Sequence, residues 1–283
     1  MSFRRTYLYV TNIETGDFEI FDLSVNAENP TSVGLFGQGF LDSPSGLAVL
    51  GNTLYIANAG GLQDVQIFDI SNRTSPVHVG EFGGGDLSNP NALLLVGTNL
   101  YITNLLSSTV EVYDAGVDPH NPAKITEFGA GELDLPNGLA NIQNILYISN
   151  ANDNSIEIYD ISAPSTPSRL GEFGSIAEIS HPIGLAILGN TLYVANFDGA
   201  NANTISVYNI DDPENPVFVR QFGSGLLNGP TEMAVYIDLL YVVNENDNNI
   251  EVFDLSVDPR DPSHIGEFSG SLDVPFGITV VEP

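Results

Sequence analysis

The residues of this chain that could do chemistry are few, and they sit beside prolines. Asn91 and Asn137 follow prolines in two similar segments, Pro90-Asn91-Ala92-Leu93 and Pro136-Asn137-Gly138-Leu139-Ala140. Glu232 stands two places after Pro230, and His181 stands directly before Pro182. Two amide carbonyls and a carboxylate are oxygen donors of the kind that a hard cation such as Ca²⁺ takes, which makes Asn91, Asn137 and Glu232 the candidate metal ligands. His181 is the one candidate general base. The same residues also have a structural reading, because Asn and Ser cap tight turns through their own backbone. His78, His120 and His264 show no metal-ligand spacing with one another, there is no cysteine, and no Gly-x-Ser-x-Gly elbow occurs. Zinc held by several histidines or by thiolates, thiolate catalysis and an elbow-type serine hydrolase are thereby disfavoured.

These residues are positioned by a repeat. Leu54-Tyr55-Ile56-Ala57-Asn58 has counterparts at Leu8, Leu100, Leu146, Leu192 and Leu240, spaced by 46 residues and once by 48. A period in the 40s means stacked supersecondary units. Each unit reads as four short strands. Strand a opens on a proline, as at Pro44 and Pro182, where the missing N–H costs no ladder bond. Strand b is the Leu-Tyr segment, reached through hairpin formers such as Gly51-Asn52. Strand c alternates apolar and polar residues, as in Val110-Glu111-Val112-Tyr113-Asp114, and strand d ends in Phe-Gly, with a proline hook between them. Nothing has helical periodicity.

Six such sheets cover their faces by packing around an axis. The expected fold is therefore all-β, a single six-bladed β-propeller over residues 1–283 with four-stranded antiparallel blades. The blades are expected at 44–83, 90–129, 136–174, 182–223, 230–269, and 275–283 together with 6–37. In the last of these the C-terminal strand pairs in the N-terminal blade, closing the ring and removing an open edge.

Composition narrows the partners. Thirty-six acidic residues against seven basic ones give a formal net charge of -29. Phosphate-backbone binding requires Lys and Arg, so nucleic acid and anionic membrane surfaces are disfavoured. No stretch is apolar enough to span a membrane, and the opening Met1-Ser2-Phe3-Arg4-Arg5-Thr6 runs into a strand with no apolar leader. A soluble monomer, cytoplasmic or exported, is expected. Its acidic surface serves either solubility or the capture of cations and basic partners.

With Tyr9-Val10-Thr11-Asn12, the Ile-x-Val-Phe-Asp strands and the Pro-x-Gly-Leu-Ala openings in view, the chain resembles the YVTN and NHL groups of propeller repeats. Asp69-Ile70-Ser71 running to Pro76 resembles LVIVD repeats. The resemblance covers essentially the whole chain and implies a closed propeller acting as an interaction surface. More locally, Pro136-Asn137-Gly138-Leu139-Ala140 is similar to a segment of the gluconolactonase-like calcium hydrolases, which implies that Asn137, with Asn91 as a partial second copy, reaches a central ion.

Strand direction puts the d-to-a and b-to-c loops on one face. The b-to-c loops differ from copy to copy, as in Ala59 to Asp64 and Phe197 to Asn203, and loops freed from a repeat constraint are where binding is placed. The residues after each strand-a proline, Ser45, Asn91, Asn137, Ile183, Thr231 and Phe276, are expected to ring the channel mouth as the ligand-binding set. The expected function is a non-catalytic binding or scaffold propeller that recognises a protein or small molecule there. The alternative is a divalent-metal-dependent lactonase or esterase-like hydrolase with its ion at the mouth. The six strand-b asparagines are expected to be structural, each closing an Asx turn into its b-to-c loop. The runs Asn150 to Asn154 and Asn244 to Asn248 lack full calcium-loop spacing and read as solvated turns. Two breaks in pattern, Asn141 in strand a and Asn209 at the end of a strand c, need polar partners.

Overall fold

A four-stranded unit leaves two apolar sheet faces that only its neighbours can cover. The computed structural model describes residues 5–283 and shows six units meeting that need in a ring. Among those residues, 24 strands form six four-stranded antiparallel sheets. From axis to rim the second blade runs Pro44–Leu50, Thr53–Asn58, Asp64–Asp69 and Val77–Phe82, the expected strands a to d. The first blade is composite, because Pro275–Val281 pairs with Tyr7–Asn12, placing Tyr7 opposite Val281 and Val10 opposite Ile278. The ring therefore closes through hydrogen bonds between the two ends of the described chain. Residues 1–4, which fall within the opening read above as lacking a leader, lie outside the described residues.

The recurring Leu-Tyr segment has a physical reason. Its six tyrosines are wholly buried, and a buried phenol needs an acceptor. Five of them donate to a backbone carbonyl in the proline hook of the next blade: Tyr9 to Arg73, Tyr55 to Pro119, Tyr147 to Pro213, Tyr193 to Pro259 and Tyr241 to Ala27. Each bond spans a blade junction.

Strand c departs from a simple reading of its alternation. Polar residues that would face water in a two-layer sheet are buried here, because a blade is covered on both faces. Glu19, Glu111, Glu157 and Glu251 have essentially no exposed surface. A buried carboxylate requires a partner, and strand d supplies one: Lys124 lies 3.1 Å from Glu111, Arg169 lies 2.6 Å from Glu157, and His264 lies 2.6 Å from Glu251. In the first blade Glu19 accepts from Ser32 and from the Ser271 N–H instead.

Every strand a is broken by a bulge just after its proline. Pro44 pairs with Asn58 but Leu47 pairs with Ile56, so Ser45 and Gly46 oppose Ala57 together. A bulge re-aims side chains, and this one places the residue after each proline at the contact with the next blade.

Candidate functional site

The d-to-a and b-to-c loops lie on one face, as their hydrogen bonds show. The Ala59 N–H donates to the Ser43 carbonyl, Phe197 to His181 and Glu245 to Gly229. All six strand-b asparagines are structural, although their partners differ from those expected. Each side-chain carbonyl accepts a backbone N–H of the d-to-a loop, at Asp273, Asp42, Ser88, Asp134, Ser180 and Asn228, rather than closing a turn in the b-to-c loop. The amides of the two carboxylate-amide runs are engaged in the same manner. Asn154 and Asn248 accept the N–H groups of His181 and Val274, and Asn150 donates to Asp153.

The residues expected to ring the mouth lie in the blade junctions. Ser45, Asn91, Asn137, Ile183 and Thr231 are buried, and Phe276 is half-buried. Their backbone carbonyls take part in a belt of hydroxyl bonds around the axis. Thr11 donates to the Ser45 carbonyl, Thr103 to Asn137 and Ser149 to Ile183. Strand b carries Ala57 in the second blade and Val243 in the sixth; there the donors are Ser45, to the Asn91 carbonyl, and Thr231, to the Phe276 carbonyl. The sixth junction, between the fifth and sixth blades, has Ala195 and Ile183 in these places, neither of which carries a hydroxyl.

Of the three candidate metal ligands, the structure brings two together: the Asn91 amide donates to the Asn137 Oδ1 at 2.6 Å, while Asn137 donates to the Leu135 carbonyl. Glu232 belongs to the sixth blade and makes no hydrogen bond to either. Among the described residues no three His, Cys, Asp or Glu side chains gather closely enough to hold a metal ion. His181 has a left-handed backbone, φ 46°, in the place held in other blades by Ser43, Asn89, Leu135 and Val274 with the same sign of φ. Its ring leans on Phe197, with centroids 6.2 Å apart.

Around the axis lies a cavity of about 380 Å³ walled by strand-a residues, among them Leu47, Leu93, Leu139, Leu185 and Met233. Glu232 projects into it at a level where the other blades have Gly46, Ala92, Gly138, Gly184 and Gly277. Its Oε1 is shielded and meets no donor, and burial raises its pKa to about 7 against the opposing pull of the Met233 N–H. Asn141 also faces the cavity and donates to the Gln143 carbonyl. Asn209 accepts the Asp211 N–H, just as Asp69 accepts that of Ser71.

The loop face itself is the feature that reading one residue at a time overlooks. Its twelve loops carry eleven carboxylates, Asp42, Asp134, Asp153 and Asp198 among them, and neither Lys nor Arg. The basic side chains that pair with carboxylates do so elsewhere: Arg5 with Asp22, Arg220 with Asp261 and Arg260 with Asp211, besides Lys124 and Arg169. The same loops expose Phe40, Leu62, Leu106, Ile176 and Leu226. A tally of acidic and apolar residues by loop would have revealed this in the sequence.

Comparison with known proteins places the fold. Residues 43–83 and 143–174 match the LVIVD repeat. No curated protein matches the sequence. Among solved structures, one of a nidogen/laminin complex shares 18% identity and a TM-score of 0.72, covering 97% of this chain and 98% of the other. The periplasmic gluconolactonase of Pseudomonas aeruginosa shares 14% identity and a TM-score of 0.71, covering 98% of this chain and 85% of the other. A Lactobacillus plantarum protein is similar at 14% identity and a TM-score of 0.71, covering 99% and 100%. At these identities the likeness is one of fold. No helix of the described residues is long and apolar enough to cross a membrane.

Proposed function

We propose that this six-bladed propeller with LVIVD repeats is a non-catalytic binding module whose loop face recognises a basic, amphipathic segment of a protein partner around the channel mouth. The observation that carries the reading is the charge of the loop face: its loops hold eleven carboxylates and no Lys or Arg, whereas the eight carboxylates in the turns of the opposite face are interspersed with Arg73 and Arg260. A surface of one sign draws partners of the other sign and orients them on approach. Exposed Phe40, Leu62, Leu106, Ile176 and Leu226 offer apolar contacts of the kind that anchor an interface once charge has brought the partner in.

The test is fluorescence anisotropy with a labelled Lys- and Leu-rich amphipathic peptide. Binding is expected at low salt, weakening with added salt, and weakening at least tenfold in the D134K/D153K/D198K variant. The D211K/D258K variant, altered on the opposite face, should bind like the parent. Equal affinity for the parent and both variants would remove the reading.

One observation favours a second reading, a divalent-metal-dependent lactonase or esterase-like hydrolase: the side chains of Asn91 and Asn137 meet at 2.6 Å. In that reading Asn91, Asn137 and Glu232 hold Ca²⁺ and His181 is the base. Calcium-dependent lactone turnover abolished by N137A would establish it.

A further inference from the structure

Glu232 contradicts the repeat that surrounds it. At its position the other blades carry glycine or alanine, and packing explains why. A Cβ on Gly46, Gly138 or Gly277 would come within 2.5 Å, 2.3 Å and 2.1 Å of the Asn91, Ile183 and Ser45 carbonyl oxygens of the next blade. The sixth blade nevertheless places a carboxylate here, in a cavity with leucine and methionine walls, and among the described residues no other titratable side chain lines that cavity. Gly184 of the fifth blade makes the room, because a Cβ there would lie 3.1 Å from the Glu232 Oε2.

One acceptor is left open at this point, and a second lacks the hydroxyl that its counterparts receive. The Glu232 Oε1 has no donor, and the Thr231 carbonyl belongs to the one junction where neither belt position carries a hydroxyl residue. Both residues border the same spot, since the Cβ built on Gly184 would also lie 2.3 Å from the Thr231 oxygen. A buried acceptor without a donor, such as the Glu232 Oε1, costs stability unless a ligand satisfies it. A hard divalent ion takes six or more oxygens, and the other blades present hydrogen atoms or a methyl group at this level. A single charge with two acceptors beside a hydrocarbon wall matches a different ligand, because an ammonium brings three N–H donors and an alkyl chain suits the wall.

We propose that the central channel binds a primary aliphatic ammonium, its nitrogen held by Glu232 and the Thr231 carbonyl and its chain lying against the strand-a leucines. A cavity of about 380 Å³ has room for about a dozen water-sized groups, enough for a short alkylamine or the side chain of a lysine. This site is independent of the charged loops above it.

Isothermal titration at pH 8 with n-hexylamine, hexan-1-ol and Nα-acetyl-lysine amide tests the proposal. Hexylamine should bind at least tenfold more tightly than hexanol, and E232Q should weaken it at least tenfold while keeping the parent's circular dichroism. E232A, which reproduces Ala92 of the third blade, serves if the glutamine variant does not fold. D134K/D153K/D198K should leave amine affinity unchanged, which separates this site from the loop-face reading. Binding of the acetyl-lysine amide as well would mark a protein side chain as a source of the amine; binding of hexylamine alone would mark a free amine. Equal affinity for amine and alcohol, affinity untouched by both Glu232 variants, or no binding of any amine would overturn the proposal.

Discussion

The Ser45 Oγ donates to the Asn91 carbonyl at 3.0 Å, across a blade junction where strand b has Ala57 instead of the hydroxyl that Thr11, Thr103 or Ser149 supplies elsewhere. The hydroxyl has moved from one strand to its neighbour while the bond has been kept. S45A is therefore expected to cost about 1–2 kcal/mol, because it leaves a buried carbonyl without its donor. Introducing A57T into that variant should restore most of the loss, as read from urea unfolding midpoints. A57T without any effect in the S45A background would show that the belt does not contribute to stability.

That exchange shows what the sequence made legible. The period, the four strands, the count of six and the closure by residues 275–281 all followed from patterns that recur, because each blade must present the same faces to its neighbours. Asn91, Asn137 and Ser45 stand out in the sequence by the strand-a proline before each, but the partners of Ser45 and Asn91 lie 46 residues away in the next blade, and no local pattern reports which junction lacks a hydroxyl. The strand-c glutamates were read as the polar half of an alternation. Only the stacking of blades on both faces shows them to be buried.

Closing the ring depends on Pro275–Val281. Deleting residues 275–283 removes the inner strand of the first blade and the bond from the Gly277 N–H to the Thr11 Oγ1 at 2.8 Å, and exposes the edge of Tyr7–Asn12. Size-exclusion chromatography and thermal melting should report aggregation or loss of the folded state. A monomer with the parent's melting temperature would contradict the closure.

The Glu157–Arg169 pair at 2.6 Å joins a buried carboxylate to a partly exposed guanidinium. Removing one partner of such a pair strands the other charge. R169M is expected to destabilise by about 3 kcal/mol, and R169M/E157M by less than R169M alone. Chemical unfolding of the two variants checks the order, and a double variant weaker than the single would contradict it.

Glu232 should set a pH dependence of stability. Its pKa is raised to about 7 in the folded chain, above the unfolded carboxyl value of about 4.3. Between these values the folded state holds the proton more often, so this group's contribution is fully present at low pH and is lost as pH rises through about 7. The shift corresponds to roughly 3 kcal/mol. E232A should accordingly be more stable than the parent at pH 8 and gain little at pH 4. The difference between the two proteins in urea unfolding at each pH is the measurement, and a difference that does not change with pH would place the titration elsewhere.

The most direct test of the account is which face a basic partner covers. Hydrogen exchange on the complex with the Lys- and Leu-rich peptide should show added protection in 129–135, 151–154, 174–181 and 197–203, with none in the proline hooks at 210–216 and 255–262. Protection confined to those hooks, or to the outer strands, would contradict it.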